Sequence, residues 1–173
     1  RQRVEEAGLS SLVDIRFCDY RDIQGEFDAV VSIEMFEAVG AEYFATYFET
    51  VNRVLKPGGR MALQTISTAD RNFATMRDGV NWIQKYIFPG GMLPSIAEIE
   101  RALKDTRLVI TDLEDIGPHY VWTLREWRER FMAALPQVRA QGFDERFVRM
   151  WEFYLGLCEA GFAMRNTGDL QIV

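Results

Sequence analysis

The stretch that most constrains this chain is Phe27-Asp28-Ala29-Val30-Val31-Ser32-Ile33-Glu34-Met35-Phe36-Glu37-Ala38-Val39-Gly40. Its first half holds a short apolar run, Ala29-Val30-Val31, which suits a strand covered on both faces. Its second half holds two carboxylates and a glycine. Strands of that kind belong to open α/β sheets, where ligands bind at the carboxyl ends. The stretch therefore carries Glu34 and Glu37 to the place where chemistry is expected, with Glu34 equally able to cap the helix that follows.

The rest of the chain builds around this strand. Arg1 to Gly8 reads as the end of a helix stopped by glycine. Val13 to Phe17 alternates as a strand, and Gln24-Gly25 turns into the organising strand. From Glu42 to Leu55, Phe44, Tyr47, Phe48, Val51 and Leu55 recur at helical spacing, and Lys56-Pro57-Gly58-Gly59 stops the helix. Arg60 to Ile66 is a third strand, which completes a crossover unit of the parallel type. Trp82 to Ser95 reads as an insertion over the sheet, turning at Pro89-Gly90-Gly91. Ser95 with Glu98 forms a capping box for a helix bearing Ile96, Ile99 and Leu103. Leu108 to Leu113 predicts a fourth strand. A turn through His119 and Tyr120 leads to a second capping box, Thr123 with Glu126, and a stripe of Trp127, Phe131 and Leu135. Glu145 to Phe162 predicts a helix with Phe147, Trp151, Tyr154, Leu155, Cys158 and Phe162 on one side, and Asp169 to Val173 a last strand. Such stripes are ordinary core, although two consecutive aromatic helices can wall a long apolar pocket.

Composition excludes several classes. With 173 residues and 48% hydrophobic content, the chain can bury one core and reads as one domain. Cys18 and Cys158 lie far apart and outside any C-x-x-C pattern, which argues against a disulfide framework or a structural zinc site and for a reduced, cytoplasmic setting. No apolar run approaches the roughly 20 residues of a membrane span, and no signal-peptide layout opens the chain, so a soluble protein is expected. A net charge of −6 disfavours nucleic acid. The arginines of the C-terminal third, Arg125 to Arg149, are interleaved with glutamates and read as a solvated face.

Taken together, Asp19-Tyr20-Arg21-Asp22, the Phe27–Gly40 stretch, Leu55-Lys56-Pro57-Gly58-Gly59, Ile87-Phe88-Pro89-Gly90-Gly91-Met92-Leu93-Pro94-Ser95 and Thr123-Leu124-Arg125-Glu126-Trp127 resemble the cyclopropane-fatty-acyl-phospholipid synthase family, which includes the mycolic acid cyclopropane synthases. The Lys-Pro-Gly-Gly turn is shared by many methyltransferases, whereas the Phe-Pro-Gly-Gly-Met-Leu-Pro-Ser block is specific. The resemblance implies an α/β, Rossmann-like class I methyltransferase sheet with a helical lipid-binding insertion. It also implies an S-adenosylmethionine cofactor and a reaction on cis double bonds of phospholipid acyl chains, in the cytoplasm with peripheral contact at the inner membrane face. The glycine-rich cofactor loop of the family has no counterpart here, so the chain reads as residues 1–173 of the C-terminal part of a single methyltransferase domain, inactive alone.

In the family a bound bicarbonate ion is held as the base. The matching positions are Glu37, Tyr120 and Ile66, the last through its backbone amide, while the family histidine falls at Gln64. A glutamine amide can donate a hydrogen bond but cannot shuttle a proton. Asp19, Tyr20 and Arg21 match the contacts to adenine, and Ser32 and Ile33 the backbone that meets the cofactor. His119, the only histidine, reads as structural, and Cys158 as a small core residue.

Overall fold

The computed structural model describes residues 1–173. In chain order its elements are α1 (Gln2–Glu6), β1 (Phe27–Ile33), α2 (Phe44–Val54), β2 (Leu55–Thr68), α3 (Asp70–Asp78), α4 (Trp82–Tyr86), α5 (Ile96–Leu103), β3 (Leu113–Asp115), α6 (Gly117–Ala133), α7 (Leu135–Ala140), α8 (Glu145–Ala163) and β4 (Thr167–Ile172). Single turns of 3-10 helix form at Tyr20–Asp22, Phe36–Ala38 and Ala41–Tyr43. The strands make one open sheet in the order β1-β2-β4-β3. β1 and β2 run parallel, with Ile33 opposite Gln64, and β4 lies antiparallel between β2 and β3. Parallel neighbours need a crossover, and α2 supplies it.

The two faces of the sheet differ in chemistry because side chains alternate along a strand. Leu63 and Thr65 of β2 lie opposite Ile172 and Leu170 of β4. This face packs under α2 and α5 in a core that includes Phe36, Phe44, Tyr47, Phe48, Met92, Ile99 and Leu103. The rings of Phe44, Tyr47 and Phe48 stand 4.4, 4.7 and 5.1 Å from that of Phe36. Gln64 and Ile66 lie opposite Gln171 and Asp169 on the other face. There α6 and α8 meet around Leu124, Leu155 and Phe162, with Ile66 and Tyr120 packed against them.

The structure corrects several expectations. Residues 13–17 form no strand: β1 pairs with β2 alone, and an alternating segment without a neighbour has no ladder to join. The fourth strand is confined to Leu113–Asp115, with Thr111 and Asp112 bonding only to the last residue, Val173. α6 starts at Gly117, six residues before the expected cap at Thr123, because Pro118 has the fixed φ and missing N–H that suit a first helical turn. Thr123 is therefore interior, and its hydroxyl donates to the His119 carbonyl at 3.4 Å. His119 and Tyr120 lie on a helix rather than in an extended turn, with His119 exposed and Tyr120 half-buried. The inward residue of α6 is Leu124, while Trp127 is exposed and Leu135 opens α7. α4 is set by a capping box between Asn81 and Gln84.

Candidate active site

β1 ends abruptly. Glu34 takes φ of +54°, a left-handed conformation uncommon outside glycine, and its N–H makes a last ladder bond to Gln64 O at 3.0 Å. The chain then turns through Phe36–Ala38, where Phe36 drives into the aromatic core and Glu37 is left at the strand tips. Glu37 Oε1 accepts the N–H of Ile66, while Oε2 is buried with no donor. Burial raises the pKa of this carboxyl. The Phe88–Ser95 block is bound to the same segment: Met92 N–H donates to Glu37 O at 2.8 Å, and Gln84 Nε2 holds Gly91 O at 2.9 Å. Pro94 O accepts from Thr68 N–H at 2.9 Å, so the block also joins the end of β2.

Gln64 is the hub of the site. Its Nε2 donates to Glu34 Oε1 at 2.9 Å and lies 3.4 Å from Asp169 Oδ2 and 3.5 Å from Tyr120 Oη. Gln171, directly opposite in the register, donates to Gln64 Oε1 at 2.9 Å. Tyr120 stacks on Phe162 of α8 at 5.2 Å, and burial pushes its phenol up to about 12, aided by the charges of Asp169 and Glu34. Asp169 has 0% exposure and an unpartnered Oδ1. Burial, and then the charge of Glu34, pushes its carboxyl up to about 7.

The tertiary structure thus brings Glu37, Gln64, Ile66 and Tyr120 together and adds Asp169, which sequence reasoning placed only in a strand. Asp169 and Gln171 alternate with Leu170 and Ile172, the pattern of a strand with one solvated face. Only the packing of α6 across that face reveals that Asp169 is enclosed. The remaining candidates are more dispersed. Asp19 caps the turn at Tyr20–Asp22 and grips Arg21, with Oδ1 at 3.0 Å from Nε and Oδ2 at 2.7 Å from Nη2. Those bonds hold its carboxyl down at about 2. Tyr20 meets the site through Tyr47, ring to ring at 5.6 Å, and Arg53 ties the turn to α2 through the carbonyls of Arg21 and Ile23. Ser32 is half-buried and Ile33 exposed. Cys158 is half-buried beside Tyr154, and burial pushes its thiol up to about 11. An apolar cavity of about 310 Å³, lined by Phe48, Met61, Leu63, Leu108 and Ile172, lies toward the opposite ends of β2 and β4, away from these acids.

The chain is similar to several known proteins. Tuberculostearic acid methyltransferase UfaA1 of Mycobacterium tuberculosis is 48% identical over 163 residues, 94% of this chain and 38% of its own length. Cyclopropane-fatty-acyl-phospholipid synthase of Escherichia coli K12 is 40% identical over 161 residues, 93% of this chain and 41% of its own. The chain spans about two fifths of the length of these relatives. The cyclopropane synthase MmaA2 from Mycobacterium tuberculosis superposes with a TM-score of 0.82 at 24% identity, covering 99% of this chain and 64% of that one. Mycolic acid cyclopropane synthase CmaA1, complexed with SAH and CTAB, superposes at 0.80 and 24%, covering 99% and 65%. The fold is therefore the Rossmann-like fold of class I methyltransferases. A profile of one family, mycolic acid cyclopropane synthetase, matches residues 1–172. With that match along nearly its whole length and with relatives well above 30% identity, the chain belongs to the mycolic acid cyclopropane synthetase family.

Proposed function

We propose that this chain supplies the substrate side of an S-adenosylmethionine-dependent methyltransferase that converts a cis double bond of a phospholipid acyl chain into a cyclopropane. The observation that carries the reading is the Glu37 carboxyl, held at the strand tips by one backbone amide with its second oxygen buried and unsatisfied. A buried polar atom without a partner costs about 1–3 kcal/mol, so such an atom at a sheet's ligand-binding edge points to a polar group that completes it.

When bound, S-adenosylmethionine supplies an electrophilic methyl on a sulfonium, and bicarbonate supplies a base for the proton lost from that methyl. Glu37 Oε2 is an acceptor free to take the O–H of a bicarbonate and fix its orientation. Tyr120, held protonated through neutral pH, is a donor for one of its oxygens. Gln64 presents an amide N–H to the same region and carries no titratable proton. The Ile66 N–H serves by anchoring Glu37. Asp19 retains lone pairs beyond its bonds to Arg21 that can accept from an adenine amine, Tyr20 offers a ring for stacking, and the backbone of Ser32 and Ile33 lies at the β1 tip. Phe131, Trp151 and Tyr154 pack between α6 and α8, and their π faces suit an acyl chain laid against them, where they would stabilise a carbocation and exclude water. Exposed Tyr86, Phe88, Trp122 and Phe153 suit peripheral contact with a membrane from the cytoplasmic side.

A second reading keeps the methyl transfer but yields a methylene- or methyl-branched chain. It is favoured by the 48% identical relative named a tuberculostearic acid methyltransferase; the methylene product loses one proton from the transferred methyl as the cyclopropane does, and a saturated branch then needs a hydride donor acting on that methylene. The test is mass spectrometry of lipids from cells expressing the full-length parent with labelled methyl donor, beside Glu37→Gln. One added CH2 in a product that resists mild hydrogenation, lost in the variant, supports cyclopropanation. A hydrogenatable or saturated branched product selects the second reading. No incorporation by a folded parent refutes both and leaves a lipid-binding protein.

A further inference from the structure

Gln64 Nε2 has two hydrogens and three acceptors around it, Glu34 Oε1 at 2.9 Å, Asp169 Oδ2 at 3.4 Å and Tyr120 Oη at 3.5 Å. Reversing the amide would not relieve this, because its oxygen would then face the carboxylate oxygen of Glu34. Two carboxyl groups therefore converge on one neutral amide, and the inner one, Asp169, has no exposure and an Oδ1 with no donor. Every titratable group near Asp169 is acidic or neutral: Glu34 beyond β1, Glu37 in the following turn, Tyr120 on α6, and Asp115 of β3, whose Oδ1 accepts the Asp169 N–H at 3.2 Å. No arginine, lysine or histidine pairs with it. Two like charges that share an amide, one of them enclosed, are relieved when the enclosed one takes up a proton.

We propose that Asp169 is a positioning residue, held as a neutral carboxylic acid by its enclosure and by the Glu34 carboxylate that shares the Gln64 amide with it, and that in this form it turns the Tyr120 hydroxyl toward the strand tips. A neutral Asp169 can donate its O–H to Tyr120 Oη, which leaves the phenol hydrogen free for an anion held at Glu37. An ionised Asp169 accepts that hydrogen instead and draws it away. The proton passes only between Asp169 and solvent. The part that concerns Tyr120 and turnover rests on the function proposed above, whereas the protonation itself does not.

The experiment uses the full-length parent enzyme with its Asp169→Asn and Glu34→Gln variants. Infrared difference spectra from pH 5.5 to 9 read the carbonyl band of a protonated acid, and turnover of labelled methyl donor is followed over the same range. The parent should show one buried-acid band that fades through about pH 7 and is missing from Asp169→Asn. In Glu34→Gln, which keeps the bond to Gln64 and loses the charge, the band should fade at lower pH by roughly one unit, a tenfold change in proton affinity. Turnover of the parent should fall as the band fades, and Asp169→Asn should lose that fall. A band unchanged in Asp169→Asn overturns the proposal, as does a Glu34→Gln band that fades where the parent's does, even if Asp169→Asn fails to fold. Bands that behave as expected in a parent without turnover locate the failure in the proposed function instead.

Discussion

Phe36 joins the stability of the fold to the placement of the site, so its truncation tests both. The side chain has 0% exposure and rings on three sides at 4.4–5.1 Å. Phe36→Ala leaves a cavity that a helix-and-sheet core cannot close, at a cost of about 3–5 kcal/mol. Each aromatic pair lost adds about 0.5–1.5 kcal/mol beyond area burial, which places this site toward the upper end. Phe36→Leu keeps most of the volume and loses the ring contacts, with an expected cost of about 1.5 kcal/mol. Urea unfolding of the full-length parent, followed by near-UV circular dichroism, measures both. With a slope of about 2 kcal/mol/M, the alanine variant should lose about 2 M in midpoint and the leucine variant less than 1 M. Because Glu37 is the next residue of the same turn, turnover should fall in both variants even where they are fully folded. A loss below about 1 kcal/mol for the alanine variant, at unchanged slope, would refute the claim that this ring seats the turn.

Two further outcomes follow from the site. The folded carboxyl of Asp169 holds its proton up to about pH 7, whereas an unfolded aspartate releases it near 3.8. The stability associated with this group is therefore fully present below about pH 4 and lost as pH rises to 7, and a pH series of urea midpoints should show that decline in the parent but not in Asp169→Asn. At Gly117, where α6 begins, an added Cβ would lie 2.9 Å from Asp115 Oδ1 and 3.0 Å from the backbone N of Asp169. Gly117→Ala should therefore cost about 1–3 kcal/mol and disturb the pH dependence of turnover, because backbone cannot move aside as a flexible side chain can.

Much of this protein follows from local pattern. The β1 run, the amphipathic α2 and the Lys56–Gly59 stop specify a parallel crossover without outside help, since each signal acts within a few residues. The same locality brings Glu37 to the strand tip and makes the Phe88–Ser95 block a turn. What local pattern cannot express is partnership. Val13 to Phe17 alternates like a strand yet stays single because a ladder needs a neighbour, and the Thr123–Glu126 spacing imitates a cap that Pro118 had already made unnecessary. The polar side of the site was hidden for the same reason. Asp169 and Gln171 lie about a hundred residues after Gln64, and each of the two reads alone as a solvated strand position. The antiparallel register of β4 on β2 sets them side by side, and the packing of α6 removes the water that would otherwise have kept Asp169 an ordinary carboxylate.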